Sequence, residues 1–212
     1  MAVREAYVVQ VLPYEAQGRR EEADRTMARI RELALGLASD YQVGIVDAFQ
    51  ARIALLRGDL AAARRWLEAS PPELGYSDPK SYELPALTRA KILIAQGDPA
   101  ALAEAERLLT ALTGFARSRQ MTLALIESLA VQALLRAQQG DPAEADHLLR
   151  EALDLAAPEG ITQRFLFLGA GLPPLLRALS WPSPHTTHAT HTTHATQPPP
   201  PPHSPPRAEM SA

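Results

Sequence analysis

The chain contains no cysteine among its 212 residues. Disulfide-stapled folds, thiolate metal sites and cysteine nucleophiles are therefore excluded. A basic excess is also missing, since 21 Lys and Arg residues face 24 Asp and Glu residues, for a net charge of −3. Because nucleic-acid-binding domains neutralise phosphates with clustered Lys and Arg, we expect no direct nucleic-acid binding from this chain.

Long apolar runs are absent as well. A typical run, Met121–Ile126, stops at Glu127, far short of the roughly 18 to 20 apolar residues that span a bilayer. The N-terminus meets Arg4 and Glu5 at once and lacks the apolar block and cleavage site of a secretory signal. We therefore expect no membrane association and a cytoplasmic location.

The composition changes near Trp181. Nine of the 19 prolines follow that residue, and the hexamer His-Thr-Thr-His-Ala-Thr occurs twice in succession from His185. A segment of this kind cannot bury enough apolar surface to offset a backbone-ordering cost of about 1–2 kcal/mol per residue. The sequence thus predicts a helical domain over residues 1–181 and a disordered His/Thr/Pro-rich tail over residues 182–212.

The first 181 residues are rich in Ala, Leu, Arg, Glu and Gln, which favour helices, so we predict an all-α fold. Apolar residues recur at helical spacing, as in Leu102, Ala105, Leu109 and Leu112. The helices are expected at about 3–17, 20–38, 41–57, 60–69, 82–96, 99–117, 120–139 and 142–156, followed by two shorter ones. The proline-rich stretch Ser70–Ser81 is predicted to be the one long connection.

Glycines punctuate this pattern at nearly regular intervals of 40, 39 and 43 residues. They are Gly18, Gly58, Gly97 and Gly140. A glycine in the left-handed conformation closes one helix, and the aspartate that follows three of these glycines caps the next. Asp141 and Glu144 have the spacing of a capping box. A period near 40 residues predicts an α-solenoid of stacked antiparallel helix pairs.

Three runs carry a family resemblance: Ala51–Trp66, Tyr82–Gly97 and Ala133–Gly160. They resemble the tetratricopeptide-like sensor domain of MalT-type regulators, which are large ATP-dependent transcriptional regulators of the LuxR family. The resemblance implies a helical domain that senses an inducer or a partner protein. The NTPase and helix-turn-helix modules of such regulators are not visible: the chain has no Gly-Lys dipeptide for a phosphate-binding loop, and the tail takes the place of the DNA-binding helices.

No residue qualifies as a catalytic, cofactor-binding or metal-ligating group. Glu144 and His147 form half of a di-metal helix motif whose second copy is missing, and the tail histidines lack the supporting residues that an ordered metal site needs. The segment Gly169–Gly171 imitates a dinucleotide fingerprint, but Pro173–Pro174 follows where that motif requires a glycine-bounded helix. We therefore predict a protein that is not an enzyme and uses no cofactor.

Recognition is expected on the concave face of the solenoid, which the first helix of each pair lines. Polar and aromatic residues of those helices are the candidates: Tyr41, Gln42, Gln50, Tyr82, Glu83, Arg89 and Gln96. Two hypotheses follow. The chain is either a sensor domain that binds a peptide, protein or small-molecule inducer in its groove and associates with full-length regulators, or a free-standing tetratricopeptide-like scaffold for protein–protein interaction.

Overall fold

A computed structural model of the chain describes residues 10–70, 83–158, 160–161, 165, 167–168 and 172–178. The predicted tail, the domain boundary at Trp181 and almost all of the predicted connection Ser70–Ser81 lie outside these residues.

The described residues form helices and contain no strand, which confirms the all-α prediction. The first helix, α1, covers residues 10–16 of the described range. It is followed by α2 (Arg20–Gly36), α3 (Asp40–Leu56), α4 (Leu60–Ala69), α5 (Pro85–Gln96), α6 (Pro99–Ser118), α7 (Thr122–Gln138), α8 (Pro142–Ala156) and α9 (Leu172–Ala178).

Glycine closes the first helix of each pair, as predicted. All four punctuating glycines have φ between +72° and +83°, a conformation that only glycine adopts without cost. After three of them an aspartate caps the next helix: the Asp59, Asp98 and Asp141 carboxylates accept the backbone N–H of Ala62, Ala101 and Glu144. Arg19 holds the equivalent place before α2 and makes no side-chain cap bond.

Of the two hydrogen bonds of the predicted capping box at the start of α8, one forms. The Asp141 side chain accepts from the Glu144 backbone at 3.1 Å. The return bond from the Asp141 N–H goes instead to the Arg136 carbonyl oxygen, at 2.9 Å, because the preceding glycine turn already satisfies that donor.

The two turns between successive pairs that the structure describes contain no glycine in the left-handed conformation. Ala38 (φ 48°) lies in the α2–α3 turn and Gln120 (φ 55°) lies in the α6–α7 turn. Helix α5 begins at Pro85 rather than at 82, since proline lacks the N–H that an interior position needs and suits the first turn of a helix.

The helices stack in chain order. Each helix from α2 to α7 contacts the next, and the first helices of successive pairs also contact one another, α3 with α5 and α5 with α7. One apolar core joins α1, α2 and α3 around Phe49 and Ile30. A larger core runs from α5 to α9 and includes Leu109, Leu129 and Leu149. This arrangement is an all-α repeat solenoid, in which each hairpin buries its apolar face only against its neighbours.

The C-terminal residues pack onto α5 and α7. Together with α3, these first helices of the pairs are called the inner helices below. Phe165, Leu168 and Leu172 are buried in the core that contains α5 and α7, and α9 contacts α7. Part of the face that was expected to be open to a ligand is therefore covered by the chain itself.

Candidate functional site

The predicted recognition residues on α3 lie at its accessible surface. Tyr41 is 46% exposed, and Gln42 and Gln50 are half-buried. The Gln50 side chain accepts a hydrogen bond from Arg31, at 3.2 Å. Gln96, at the end of α5, is half-buried too, and Tyr82 lies outside the described residues.

Glu83 and Arg89 are used inside the domain. Glu83 is 2% exposed and accepts hydrogen bonds from Arg52 and Thr88. Arg89 donates to the Leu67 carbonyl oxygen and to Ser70 Oγ, and so fixes the end of α4 against α5. Of the candidates that the structure describes, Glu83 and Arg89 thus serve contacts within the domain, whereas the others lie on α3 and at the end of α5.

A cavity of about 560 Å³ lies between α3, α5, α7 and the C-terminal residues. The apolar residues of its wall are Leu55, Leu56, Leu60, Ile94, Ala95, Val131, Leu134, Ala137, Phe167, Leu168, Pro174 and Leu175. Gly58 and three polar residues, Arg52, Lys91 and Gln138, complete it. Its size is within the range of about 300–1,000 Å³ that is typical of small-molecule sites.

The sequence builds this wall because the inner helices are apolar on more than one side. On α5, Leu93 faces the large core with α6 and α7, whereas Ile92 packs against Ala51 of α3 and Ala63 of α4. Ile94, one residue further, lines the cavity. The neighbouring helices do not cover all of these apolar side chains. The uncovered ones line the cavity together with the C-terminal residues.

Arg52 ties three parts of the chain together at the cavity wall. Its Nη1 donates to Glu83 Oε2 at 3.0 Å, just before α5, and its Nη2 donates to the Phe167 carbonyl oxygen at 3.3 Å. Burial of the guanidinium acts to lower the pKa of Arg52, but the charges of Glu83 and Glu127 outweigh this effect and raise it. Arg52 is therefore a permanently charged group at 3% exposure.

Lys91 is the second cation of the wall and is 6% exposed. The described residues of the wall include no aspartate or glutamate. The two nearby buried carboxylates, Glu83 and Glu127, do not line the cavity. Across this wall the positive charges consequently lie nearer to the cavity than the negative ones.

The sequence reasoning missed Arg52, Lys91 and the C-terminal contribution to the site. A signal for Arg52 was present, since it is the one charged residue among the buried residues of α3, whereas Lys91 shares α5 with a second buried cation, Arg89. Charged residues are rarely buried unless they are paired or functional. No local pattern indicates the contact between Arg52 and Phe167, which joins residues 115 positions apart.

Metal-binding and membrane-spanning features are both missing from the described ranges. These ranges hold no group of three or more His, Asp or Glu residues that could bind a metal ion. No helix among them has the length and apolar character to cross a membrane.

The sequence pattern that defines one protein family, described as the MalT-like TPR region, matches residues 1–181. The match covers every helix described above. Neither a curated protein nor a solved structure matches the chain.

Proposed function

Since the chain belongs to the family of the MalT-like TPR region, we propose that it is a ligand-sensing helical repeat domain of a MalT-like, LuxR-family transcriptional regulator. The supporting observation is the cavity of about 560 Å³, whose wall is shared between the repeat helices and the C-terminal residues. In this proposal the chain acts in the cytoplasm, binds rather than catalyses, and uses no cofactor.

The shared wall supplies a physical route from binding to response. Phe167, Leu168, Pro174 and Leu175 come from the C-terminal segment, and the rest of the wall comes from α3, α4, α5, α7 and the α3–α4 turn. A ligand that contacts both parts binds more tightly when the C-terminal segment is docked on the repeat helices than when it is not. By linkage, such a ligand shifts the equilibrium toward the docked segment by the difference between its two binding free energies.

Hydrogen exchange on the full chain tests this function. A collection of small molecules is screened by thermal unfolding, and each molecule that raises the midpoint is then examined for amide protection. Protection of α9 (Leu172–Ala178) together with α5 and α7 supports the proposal. Stabilising ligands that leave exchange in α9 unchanged contradict it, because the C-terminal segment would then not respond to the cavity.

A second candidate function, an interaction scaffold, is favoured by one surface. Leu35 and Leu37 at the end of α2 are 57% and 59% exposed, and Tyr41 lies just beyond them on α3. Selection of peptides from a displayed library tests it. Binders that lose affinity with Leu37→Glu, and keep it when the cavity is filled by Ala95→Trp, favour the scaffold over the sensor.

A further inference from the structure

The wall of the cavity selects for a ligand that is mostly apolar. Among the 16 described residues of the wall, twelve are aliphatic, aromatic or proline, and only Arg52, Lys91 and Gln138 carry polar side chains. A sugar or a polar peptide would bury many hydroxyl or amide groups against this wall without hydrogen-bond partners, which is unfavourable.

The charges of the wall select for one anionic group. Arg52 and Lys91 are the ionisable residues of the described wall, and both are basic. Their charges act through a buried, weakly screening environment, where electrostatic attraction is stronger than in water. Glu83, the carboxylate that pairs with Arg52, is not among the described residues of the wall.

The Arg52 guanidinium also has unused hydrogen-bonding capacity. Its Nη1 and Nη2 atoms are bound to Glu83 and Phe167, whereas its Nε–H is buried without a partner among the described residues. Because Arg52 lines the cavity, this unpartnered donor belongs to a residue of the cavity wall. A carboxylate oxygen is the strongest acceptor for such a donor.

We propose that the cavity binds amphipathic monocarboxylates, with the carboxylate beside Arg52 and Lys91 and the apolar body against α5, α7 and the C-terminal residues. This inference rests on the proposed sensing function and specifies its ligand class. A cationic amphiphile is repelled by the same wall, and a neutral one leaves the Arg52 donor without a charged acceptor.

Three probes of equal chain length test the ligand class on the full chain: dodecanoate, dodecanol and dodecylammonium, each below its aggregation concentration. Isothermal titration at neutral pH is expected to give at least tenfold tighter binding for dodecanoate than for dodecanol, and no binding for dodecylammonium. Equal affinity for dodecanoate and dodecanol would overturn the inference.

Variants locate the binding. Ala95 is exposed on α5 and lines the cavity, so Ala95→Trp is expected to fill it and weaken dodecanoate binding at least tenfold. The matched control is Ala111→Trp on α6, an exposed alanine that does not line the cavity, and its affinity is expected to be unchanged. Equal effects of the two variants would place the fatty acid elsewhere and overturn the inference.

Lys91→Met keeps the length of the side chain and removes one charge. It is expected to weaken dodecanoate binding about tenfold and to leave dodecanol binding unchanged, while circular dichroism verifies that the variant is folded. Loss of affinity for both probes alike would mean that Lys91 shapes the wall without recognising the carboxylate, and would contradict the assignment.

The failure of this inference is distinguishable from failure of the sensing function. If a neutral molecule or a saccharide protects α9 from exchange and Ala95→Trp abolishes that effect, the domain is a sensor whose ligand is not a carboxylate. If dodecanoate binds as expected but α9 exchange does not respond, the ligand class stands and sensing through the C-terminal segment is wrong.

Discussion

Arg52 and Glu83 form an ion pair that is almost wholly withdrawn from water, with side chains 3% and 1% exposed and 3.0 Å between Nη1 and Oε2. The pair holds the residues before α5 against α3, at the wall of the cavity. Thr88 donates a further hydrogen bond to the same carboxylate, so both oxygens of Glu83 are occupied.

Removal of one partner of this buried ion pair should therefore lower the free energy of unfolding strongly. Glu83→Ala leaves the buried Arg52 charge without its main counterion, and we expect the free energy of unfolding to fall by about 3–5 kcal/mol. Urea denaturation followed by circular dichroism measures it. The control is Glu32→Ala, which breaks the exposed pair with Arg29 and should cost about 0–1 kcal/mol. Similar losses in the two variants would show that Arg52 finds compensation elsewhere.

The pair between Glu106 on α6 and Arg136 on α7 makes a pH-dependent contribution. Hydrogen bonds from Arg136 and then Gln139 lower the pKa of Glu106 below its ordinary value of 4.5. The stabilisation is therefore complete above that value and is lost as the pH falls through the lowered pKa. Glu106→Gln should reduce stability at neutral pH by about 0.2–1 kcal/mol, the range for exposed pairs.

The measurement is urea denaturation of wild type and Glu106→Gln at successive pH values from neutral to acid. The difference between the two proteins should shrink as the carboxylate is protonated. Glu68→Gln, at an exposed position on α4, serves as the control and should show little difference at any pH. A Glu106→Gln difference that persists in acid would mean that the glutamine disturbs packing rather than charge.

Two glycine-to-alanine changes should have opposite signs. Gly140 has φ +83° and open space where a β-carbon would lie, so Gly140→Ala incurs only the left-handed backbone strain and should destabilise by about 1–2 kcal/mol. Gly114 lies within α6, also with open space, so Gly114→Ala should stabilise by about 0.5–1 kcal/mol. Thermal unfolding distinguishes them, and a change of the same sign in both would contradict the assigned backbone conformations.

The aspartate caps should each contribute measurably. Asp98→Ala removes the acceptor of the Ala101 N–H, 3.0 Å away, and should lower the free energy of unfolding by about 0.5–2 kcal/mol. Asp98→Ser retains an acceptor and should recover most of the loss. If serine and alanine are equally destabilising, the carboxylate acts through its charge at the helix N-terminus rather than through the cap.

Local chemistry explains why most of the fold could be predicted. A glycine that must be left-handed and an aspartate that caps leave a signature in adjacent residues, and these fix the turns after α3, α5 and α7. The turns at Ala38 and Gln120 have no such signature, because an alanine and a glutamine, rather than a glycine, adopt the left-handed conformation there. The observed end of α2 lies two residues before the predicted one, and the observed end of α6 lies one residue after it.

The candidate site could not be predicted in the same way. Periodicity indicates that α5 and α7 are apolar, but it does not show which apolar residues remain uncovered once the helices stack. The cavity depends on the meeting of Arg52 with Phe167, and that meeting is decided by tertiary packing. Ile94, Val131 and Leu134, which line the cavity, therefore carry no sequence signal that distinguishes them from other apolar residues of the same helices.

The position of Phe167, Leu168, Pro174 and Leu175 in the wall separates two tasks within one domain. The stacked pairs supply most of the buried core, whereas a short stretch at the C-terminal side completes the wall of the cavity. Under the proposed function, substitutions at wall positions of that stretch would change which ligand is accepted and leave the stacked pairs in place. Ligand selectivity would then diverge faster than the architecture.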